Sequence, residues 1–523
     1  MTEFVDELEA QRLLLQAKLD DEKSQLERNK LGQFSTPTKL ARDVLEYGLS
    51  LLPDGEAVRF LDPAIGTGSF YAALLAAAQD HPIAAAHGFE IDAHYGDPAR
   101  ALWAEKSLKI TLGDFTQHPP PPHAAQRANL LICNPPYVRH HHISSSDKER
   151  LQNSAQLAAR VKLSGLSGLY CYFMVLAHHW MDEEGIAGWL VPSEFMDVNY
   201  GRALKDYLLR EVTLLRIHRF DPNDVQFDDA LVSSAIVWFK KAKPPSGHSV
   251  TFSYGGTMAK PVLSKTVDMQ DLMRAEKWTR FPHRDIKPEH FGYRLSDLFD
   301  IKRGLATGDN DFFILDEEKA RALELPQKFL RPILPNARYI KEDEINADSA
   351  GIPLLDKRLF LLDCDLPEEE IERYYPSLWA YLQTGVQRAA SRYVCNSRRL
   401  WYGQERRAAA PIVCTYIGRS DSSKPPFRFV LNHSKATAAN VYLMLYPKPF
   451  LARYLNAHPE TLRLLWRALN AMGREKLLDE GRVYGGGMHK LEPKELANVS
   501  ADSLAELVGL SAKPQYRELS LTY

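Results

Sequence analysis

The residues Asn134-Pro135-Pro136-Tyr137 could together act on an amino group. They follow the apolar run at 130–133, which predicts a short buried strand. Two prolines fix the backbone and remove two N–H donors, so the strand ends in a stiff turn, where open α/β sheets bind ligands. The Asn134 amide and the Pro135 carbonyl could each accept one N–H of an exocyclic amine on a flat base, while Tyr137 stacks on the ring. A strand end with a polar cap is the alternative interpretation.

A glycine turn precedes this motif, in the sequence D-P-A-I-G-T-G-S-F at 62–70. Gly66 and Gly68 would let the backbone approach a ligand closely. The turn contains no basic residue, and no G-K-[ST] follows, so a phosphate cradle is disfavoured. Asp62, at the end of the preceding strand, suits a cationic ligand instead.

Two further strand ends carry acids. Glu90, in F-E-I-D at 89–92, stands where an acidic residue of a βαβ unit accepts hydrogen bonds from ribose hydroxyls. Asp114, in G-D-F at 113–115, could accept a hydrogen bond from an adenine amine, with Phe115 against the ring.

The order of these motifs resembles the S-adenosylmethionine-dependent adenine-N6 DNA methyltransferases. G-Q-F-S-T-P at 32–37 lies before the glycine turn, as in the gamma class of that family, and the resemblance covers about 30–242. There this element closes over the methionine end of the cofactor; alternatively, Ser35 or Thr36 caps a helix entered at Pro37. The resemblance implies the cofactor S-adenosyl-L-methionine, bound by Thr36, Pro37, Asp62, Ala64, Gly66, Gly68, Glu90, Asp114, Phe115 and Asn134.

The same resemblance implies a pocket for a base rotated out of the duplex. Its catalytic residues would be Asn134, Pro135, Pro136 and Tyr137, with an aromatic side chain from the loop at 195–201 on the opposite side of the base. Tyr200 is the first candidate and Phe195 the second, and both could instead be core aromatics. The acids Asp228 and Asp229 are expected to face solvent or cap a turn.

Bulk composition indicates an ordinary soluble protein of several domains. The chain has 523 residues, 45% hydrophobic and 25% charged. No apolar run is long enough to span a membrane, and the acidic N-terminus lacks the apolar core of a signal peptide. Five widely spaced cysteines favour neither a disulfide framework nor a zinc site, and no metal site is expected. A bacterial or archaeal cytoplasm fits this composition and the resemblance.

A basic and aromatic stretch at 392–407 is the candidate DNA-contacting segment. The net charge of −2 does not mark a nucleic-acid binder, but five arginines lie in this stretch beside one acid. Arg398, Arg399 and Trp401 are the expected contacts with phosphate and groove. A solvated charged face is the alternative.

The expected fold class is α/β: a Rossmann-like class I methyltransferase domain, with a mixed seven-stranded sheet and helices on both faces, plus a C-terminal α+β target-recognition domain. The segments at 301–313 and 484–493 resemble the start and end of that region in gamma-class enzymes, and the glycines at 485–487 predict a backbone turn near DNA. The expected domains are an amphipathic helix at 1–30, a catalytic domain at 31–245, a connecting segment at 246–295 and a target-recognition domain at 296–523.

The motifs therefore predict a site-specific enzyme that methylates N6 of a flipped adenine in double-stranded DNA, acting as a monomer. The resemblance implies a separate cognate restriction endonuclease as its functional partner. The open alternatives are an N4-cytosine DNA methyltransferase, a protein-glutamine or RNA methyltransferase, and a non-catalytic DNA-recognition subunit. The residues after the catalytic half disfavour a small substrate, and the intact motifs disfavour a non-catalytic subunit.

Overall fold

The protein is described by a computed structural model that covers residues 2–78, 80–221, 234–282, 292–419, 426–484 and 488–510. Asp228, Asp229 and the glycines at 485–487 lie outside the described residues. The chain divides into two compact units. Unit 1 comprises Met1–Lys287 and Tyr484–Gly486, and unit 2 comprises Pro288–Val483 and Gly487–Tyr523.

Unit 1 is built on one mixed sheet with helices packed against it. Its strands are β1 Val58–Asp62, β2 Ile83–Glu90, β3 Leu108–Leu112, β4 Ala128–Cys133, β5 Met181–Pro192, β6 Thr213–Arg219, β7 Ser234–Lys240, β8 Ser249–Gly256 and β9 Pro261–Asp268. Its helices are α1 Thr2–Asp21, α2 Gln25–Leu31, α3 Thr38–Leu49, α4 Ser69–Ala77, α5 Ala93–Leu102, α6 Ser145–Ala159, α7 Leu169–Leu176, α8 Arg202–Arg210 and α9 Met269–Arg274.

The strand order is β3-β2-β1-β4-β5-β7-β6-β8-β9. Strands β1 to β5 run parallel, and β7 is antiparallel to both of its neighbours. The chain therefore reverses strand order between β1 and β4, which is where open α/β sheets bind ligands. The expected Rossmann-like α/β class is confirmed. The sheet has nine strands rather than seven, because β8 pairs parallel with β6, and β9 completes a hairpin with β8.

The sheet is buried on both faces. Neighbouring residues of β4 alternate between two cores: Leu131 and Cys133 belong to one hydrophobic cluster, and Leu130 and Ile132 belong to the other. This alternation arises because successive side chains of a strand point to opposite faces of the sheet. When both faces are covered, every residue of a strand is buried, so its sequence is a continuous apolar run. The run at 130–133 therefore lies at the centre of the unit.

Unit 2 combines short helices with small sheets. Its strands are β10 Phe299–Arg303, β11 Ile314–Asp316, β12 Leu330–Leu334, β13 Glu344–Ile345, β14 Leu359–Leu362, β15 Ile412–Thr415, β16 Ile417–Arg419, β17 Phe429–Asn432, β18 Thr437–Ala438, β19 Tyr442–Pro447, β20 Arg482–Tyr484 and β21 Met488–Lys490. Its helices are α10 Leu295–Leu298, α11 Asn310–Phe313, α12 Glu317–Ala322, α13 Glu368–Tyr374, α14 Pro376–Gln383, α15 Tyr393–Asn396, α16 Pro449–Ala457, α17 Glu460–Asn470, α18 Arg474–Glu480, α19 Pro493–Ala497 and α20 Asp502–Leu507.

Three sheets organise these strands. A five-stranded sheet has the order β10-β19-β15-β17-β13, a four-stranded sheet the order β11-β14-β12-β18, and a three-stranded sheet the order β16-β21-β20. In the described part of the chain, no helix is both long and apolar enough to cross a membrane.

Candidate active site

A cavity of about 520 Å³ opens at the carboxyl ends of β1, β2, β3 and β4. Its walls include most of the residues expected to hold a cofactor: Thr36, Asp62, Ala64, Gly66, Glu90, Asp114, Phe115 and Asn134. The catalytic candidate Pro136 also lines it. Pro37, Gly68, Pro135, Tyr137 and Tyr200 are not among its lining residues. Such a volume is in the usual range for a small-molecule site.

Two buried carboxyl groups lie in this cavity. Asp62 is 1% exposed, and its Oδ1 accepts a hydrogen bond from the Ala64 amide at 3.0 Å. The two oxygens of Glu90 accept from the Gly66 amide at 3.1 Å and from the Asp92 amide at 2.9 Å. Burial raises the pKa of Asp62 to about 7 and that of Glu90 to about 7, because removal from water disfavours the charged form.

The charge of the cavity suits a cation. Among the described residues, its lining contains five carboxylic acids, one lysine and one arginine, namely Asp20, Asp62, Glu90, Asp114 and Asp147 against Lys30 and Arg150. A positively charged ligand would favour the ionised form of the two buried acids, whereas a phosphate would be repelled. The residues present therefore fit the ammonium and sulfonium charges of S-adenosylmethionine.

The turn at 62–70 requires glycine at Gly66 and at Gly68 for different physical reasons. Around Gly66 there is open space where a side chain would begin, so the backbone is accessible to a ligand. At Gly68, whose φ is +95°, an added Cβ would lie 2.6 Å from the Trp103 indole nitrogen. Gly68 is therefore required by packing and by its left-handed backbone rather than by contact with the cavity.

Asp114 and Phe115 lie at the end of β3, as expected. The Asp114 carboxylate caps the following turn, accepting from the Thr116 amide at 2.9 Å, and lies 3.5 Å from the Arg150 guanidinium. Phe115 is 2% exposed and packs edge-on against Phe89, with ring centroids 5.4 Å apart. Arg150, on α6, was missed by the sequence analysis, since nothing in its local pattern relates it to β3.

The side-chain amide of Asn134 is fixed in one orientation. Its Nδ2 donates to the Phe34 carbonyl and to the Thr36 Oγ1, each at 3.1 Å. A backbone carbonyl can only accept, so the amide nitrogen must face it. The Oδ1 of Asn134 is then the atom that remains to accept a hydrogen bond.

The segment at 32–37 lies directly against the turn at 134–137. A Cβ added to Gly32, whose φ is +67°, would lie 2.5 Å from the backbone nitrogen of Tyr137. The alternative interpretation, a helix cap at Ser35 or Thr36, does not hold: α3 begins at Thr38 with Pro37 as its N-cap, and no side chain caps it. The Thr36 hydroxyl is instead engaged with Asn134.

The aromatic candidates for base stacking lie near the end of β5. The Tyr137 hydroxyl donates to the Leu190 carbonyl at 3.1 Å, and its ring lies 5.9 Å from that of Phe34. Tyr200 is partly exposed, and its hydroxyl donates to Glu194. Among the described ring contacts none joins Tyr137 to Tyr200. Phe195 is fully buried in the core, which favours Tyr200 over Phe195 as the stacking residue.

In unit 2 the basic and aromatic stretch contacts the segment at 301–313. Arg398 donates to the Thr307 carbonyl at 3.0 Å and to the Ala306 carbonyl at 2.7 Å. The ring of Trp401 lies 5.7 Å from that of Phe312. Both side chains are thus partly used within the fold, whereas Arg399 is exposed.

A buried acid orients two further arginines that the sequence analysis did not single out as contacts. The Asp309 carboxylate is fully buried and lies 3.3 Å from Nε of both Arg388 and Arg392. About half of each guanidinium side chain stays exposed. These two arginines and the exposed Arg399 are the candidate phosphate contacts of unit 2, and we call the three residues the arginine surface.

Two family models match separate parts of the chain. Residues 97–226 match the model of the Eco57I restriction-modification methylase, and residues 281–519 match that of the C-terminal domain of type II methyltransferase M.Eco57I.

Whole-chain relatives agree with these matches. The chain is 29% identical to type II methyltransferase M.XamI of Xanthomonas campestris pv. amaranthicola, over 91% of this chain and 86% of the relative. It is 24% identical to type II methyltransferase M.AccI of Acinetobacter calcoaceticus, over 90% and 85% of the two chains. The type IIL restriction-modification enzyme MmeI, solved in complex with DNA, shares the fold with a TM-score of 0.50 at 15% identity, over 84% of this chain and 62% of that chain.

Proposed function

We infer that this chain belongs to the type II restriction–modification methyltransferases, and that it methylates DNA at a specific site with S-adenosylmethionine as donor. Two family models that match separate parts of the chain support the inference, as do relatives that align over most of its length. The acidic cavity at the strand ends supports the donor, because its charge and volume fit a cationic nucleoside.

We propose that the acceptor is the N6 amine of an adenine rotated out of the duplex. The fixed amide of Asn134 carries this proposal, because hydrogen bonds to Phe34 and Thr36 leave Oδ1 as an acceptor. That oxygen and the Pro135 carbonyl would accept the two N–H groups of the amine, which leaves its lone pair directed at the methyl group. Tyr137 and Tyr200 would hold the base by stacking.

When bound, S-adenosylmethionine supplies a methyl group already activated by its sulfonium. The chain's own contribution is then orientation and hydrogen bonding. Asn134 and Pro135 align the amine for in-line attack and stabilise the positive charge that develops on the nitrogen. As the new N–C bond forms, the S–C bond breaks, and the nitrogen then loses a proton to solvent. Glu90 is expected to hold the ribose hydroxyls, Asp62 the ammonium group and Asp114 the adenine amine of the donor.

We propose that unit 2 recognises the target sequence and that its arginine surface contacts phosphates. Arginine binds phosphate through paired donors, and two of these guanidinium groups lie within 3.3 Å of the buried Asp309 while about half of each side chain stays exposed. A separate restriction endonuclease as functional counterpart, and action as a monomer on duplex DNA, are parts of the same proposal.

The proposal is tested by incubating the purified protein with methyl-labelled donor and, in parallel, with genomic DNA, RNA or protein from a host that lacks the modification. Hydrolysis to nucleosides should give label only in N6-methyladenine. Label in N4-methylcytosine would overturn the base assignment while leaving DNA methylation intact. Label in RNA or protein, with none in DNA, would overturn the assignment to DNA.

A further inference from the structure

Residues 2–31 form two helices rather than the single amphipathic helix predicted. They lie beside the acidic cavity at the strand ends, which we call the donor cavity. The break falls at Ser24, whose hydroxyl caps α2. Helix α1 packs on α4 and α5, the helices that follow the glycine turn and β2. Its position is therefore tied to the two turns that enclose the cavity.

A buried arginine of α1 links this helix to the glycine turn. Arg12 is fully buried and binds both oxygens of Glu9, each at 2.7 Å. Its remaining nitrogen donates to the Thr67 hydroxyl at 3.1 Å. A buried guanidinium is stable only when its donors are satisfied in this way, so the register of α1 on the turn is specified.

Gln16 and Asp20 follow Arg12 on the same face of α1, at intervals of four residues. The Thr67 hydroxyl donates to the Gln16 Oε1 at 2.6 Å, and the Gln16 Nε2 donates to Asp20 at 3.0 Å. The Tyr95 hydroxyl donates to the Asp20 Oδ1 at 2.8 Å. Gln16 and Asp20 both line the donor cavity.

The end of α1 is linked to Glu90 through Asp92. The Asp92 carboxylate is paired with Lys23 and accepts from the Gln33 Nε2 at 2.8 Å. The Asp92 amide donates to the Glu90 Oε1 at 2.9 Å. The N-terminal segment, the segment at 32–37 and the expected ribose acceptor therefore share one hydrogen-bonded group.

From these contacts we propose that α1 is a wall of the donor site, with Gln16 and Asp20 as further donor-binding residues and Arg12 and Lys23 as positioning residues. The carboxylate of Asp20 would accept from the donor ribose, next to Glu90. The proposal rests on the proposed function, because it assigns these residues to the same donor.

The test is calorimetric titration of the full-length protein with S-adenosylhomocysteine. Asp20→Asn and Gln16→Ala should each weaken binding about fivefold or more, whereas Asp21→Asn and Gln11→Ala, which alter exposed residues of the same helix, should not. In the two cavity variants, Asp20→Asn and Gln16→Ala, the KM for the donor should rise, while kcat at saturating donor should stay near the wild-type value. Unchanged affinity in both cavity variants would overturn the proposal. Failure of the wild-type protein to bind S-adenosylhomocysteine would instead overturn the proposed function.

A second measurement guards against variants that fold poorly. In the wild-type protein, S-adenosylhomocysteine should slow backbone hydrogen exchange in α1 and leave α17 of unit 2 unchanged. Thr67→Val should weaken donor binding, and Thr67→Ser, which keeps the hydroxyl between Arg12 and Gln16, should restore it. Equal exchange in α1 with and without ligand would contradict the proposal.

Discussion

At the scale of single residues, the site depends on polar side chains that hydrogen bonds to backbone atoms hold in place. Asn134 is oriented by the Phe34 carbonyl, and Glu90 by the Gly66 and Asp92 amides. Such groups lose little freedom when a ligand binds, since they are already ordered. Variants of these residues should therefore show separately which side chains contribute to donor binding and which to methyl transfer.

Replacing Asn134 with alanine should lower methyl transfer by on the order of 10²–10³-fold, as for the loss of one hydrogen-bonding group that stabilises developing charge. Donor affinity should change little, because the cavity keeps Asp62 and Glu90. Single-turnover rates and calorimetry with S-adenosylhomocysteine measure the two effects. Asn153→Ala, on the exposed face of α6, is the matched control. Wild-type turnover in Asn134→Ala would remove this residue from the mechanism.

The two buried acids predict opposite pH trends for stability and for ligand binding. Their folded pKa values of about 7 lie above those of unfolded carboxyls, so the ligand-free protein retains protons that the unfolded chain has lost. This contribution to stability is present at low pH and is lost as pH rises to about 7. Binding of a cationic donor needs the ionised acids, so affinity should rise over the same range and level off above it.

Calorimetric titrations and urea unfolding at a series of pH values measure both trends. Asp62→Asn, which cannot ionise, should flatten the pH dependence of donor binding. A donor affinity that stayed constant from pH 6 to pH 8 in the wild-type protein would contradict the assignment of these acids to the donor site.

At the scale of elements, the site is made by segments that end or turn at one edge of the sheet. The turn at 134–137 follows β4, and the segment at 32–37 leads into α3. The two segments pack so closely that only glycine fits at position 32. In unit 2 the stretch at 392–407 is held against the segment at 301–313 by Arg398 and Trp401. Some side chains of that stretch, such as Arg398 and Trp401, therefore make contacts within the fold, whereas Arg399 is exposed and can contact DNA.

For the arginine surface we expect an effect on the salt dependence of DNA binding. Arg399→Ala should reduce the slope of log K against log salt by about 0.9 if it removes one phosphate contact. Arg373→Ala, an exposed arginine on α13, is the control. Fluorescence anisotropy with a short duplex at several salt concentrations measures the slope. Equal slopes for the wild type and Arg399→Ala would place the phosphate contacts elsewhere.

At the scale of the whole molecule, two compact units carry separate cores, and the donor cavity belongs to unit 1 alone. A ligand that binds only the folded state stabilises by mass action, by about 2.7 kcal/mol at a hundredfold excess over Kd. Calorimetric heating with S-adenosylhomocysteine should therefore raise the transition of unit 1. If two transitions are resolved and only that of unit 2 shifts, the donor site has been assigned to the wrong unit.

Much of unit 1 could be predicted from the sequence because its signals are local. Apolar runs, glycines and acids recur at strand ends, and a βαβ chain must bring those ends to one edge. The extent of the sheet was underestimated, since β8 and β9 join it through pairing with β6, and pairing partners leave no local mark. The single helix expected at 1–30 was wrong because Ser24 caps a second helix, which begins at Gln25.

The sequence by itself determined which chemical groups stand at the strand ends: Asn134 with its prolines, and the acids Asp62, Glu90 and Asp114, which we propose hold the donor. Only the tertiary structure decided which distant groups complete it. Arg12 bonds to Thr67 across 55 positions, and the amide of Asn134 is fixed from 100 positions away. It also assigned Phe195 to the core and Gly68 to the packing of Trp103. Residue type and spacing encode what a side chain can do, whereas its partners depend on long-range packing.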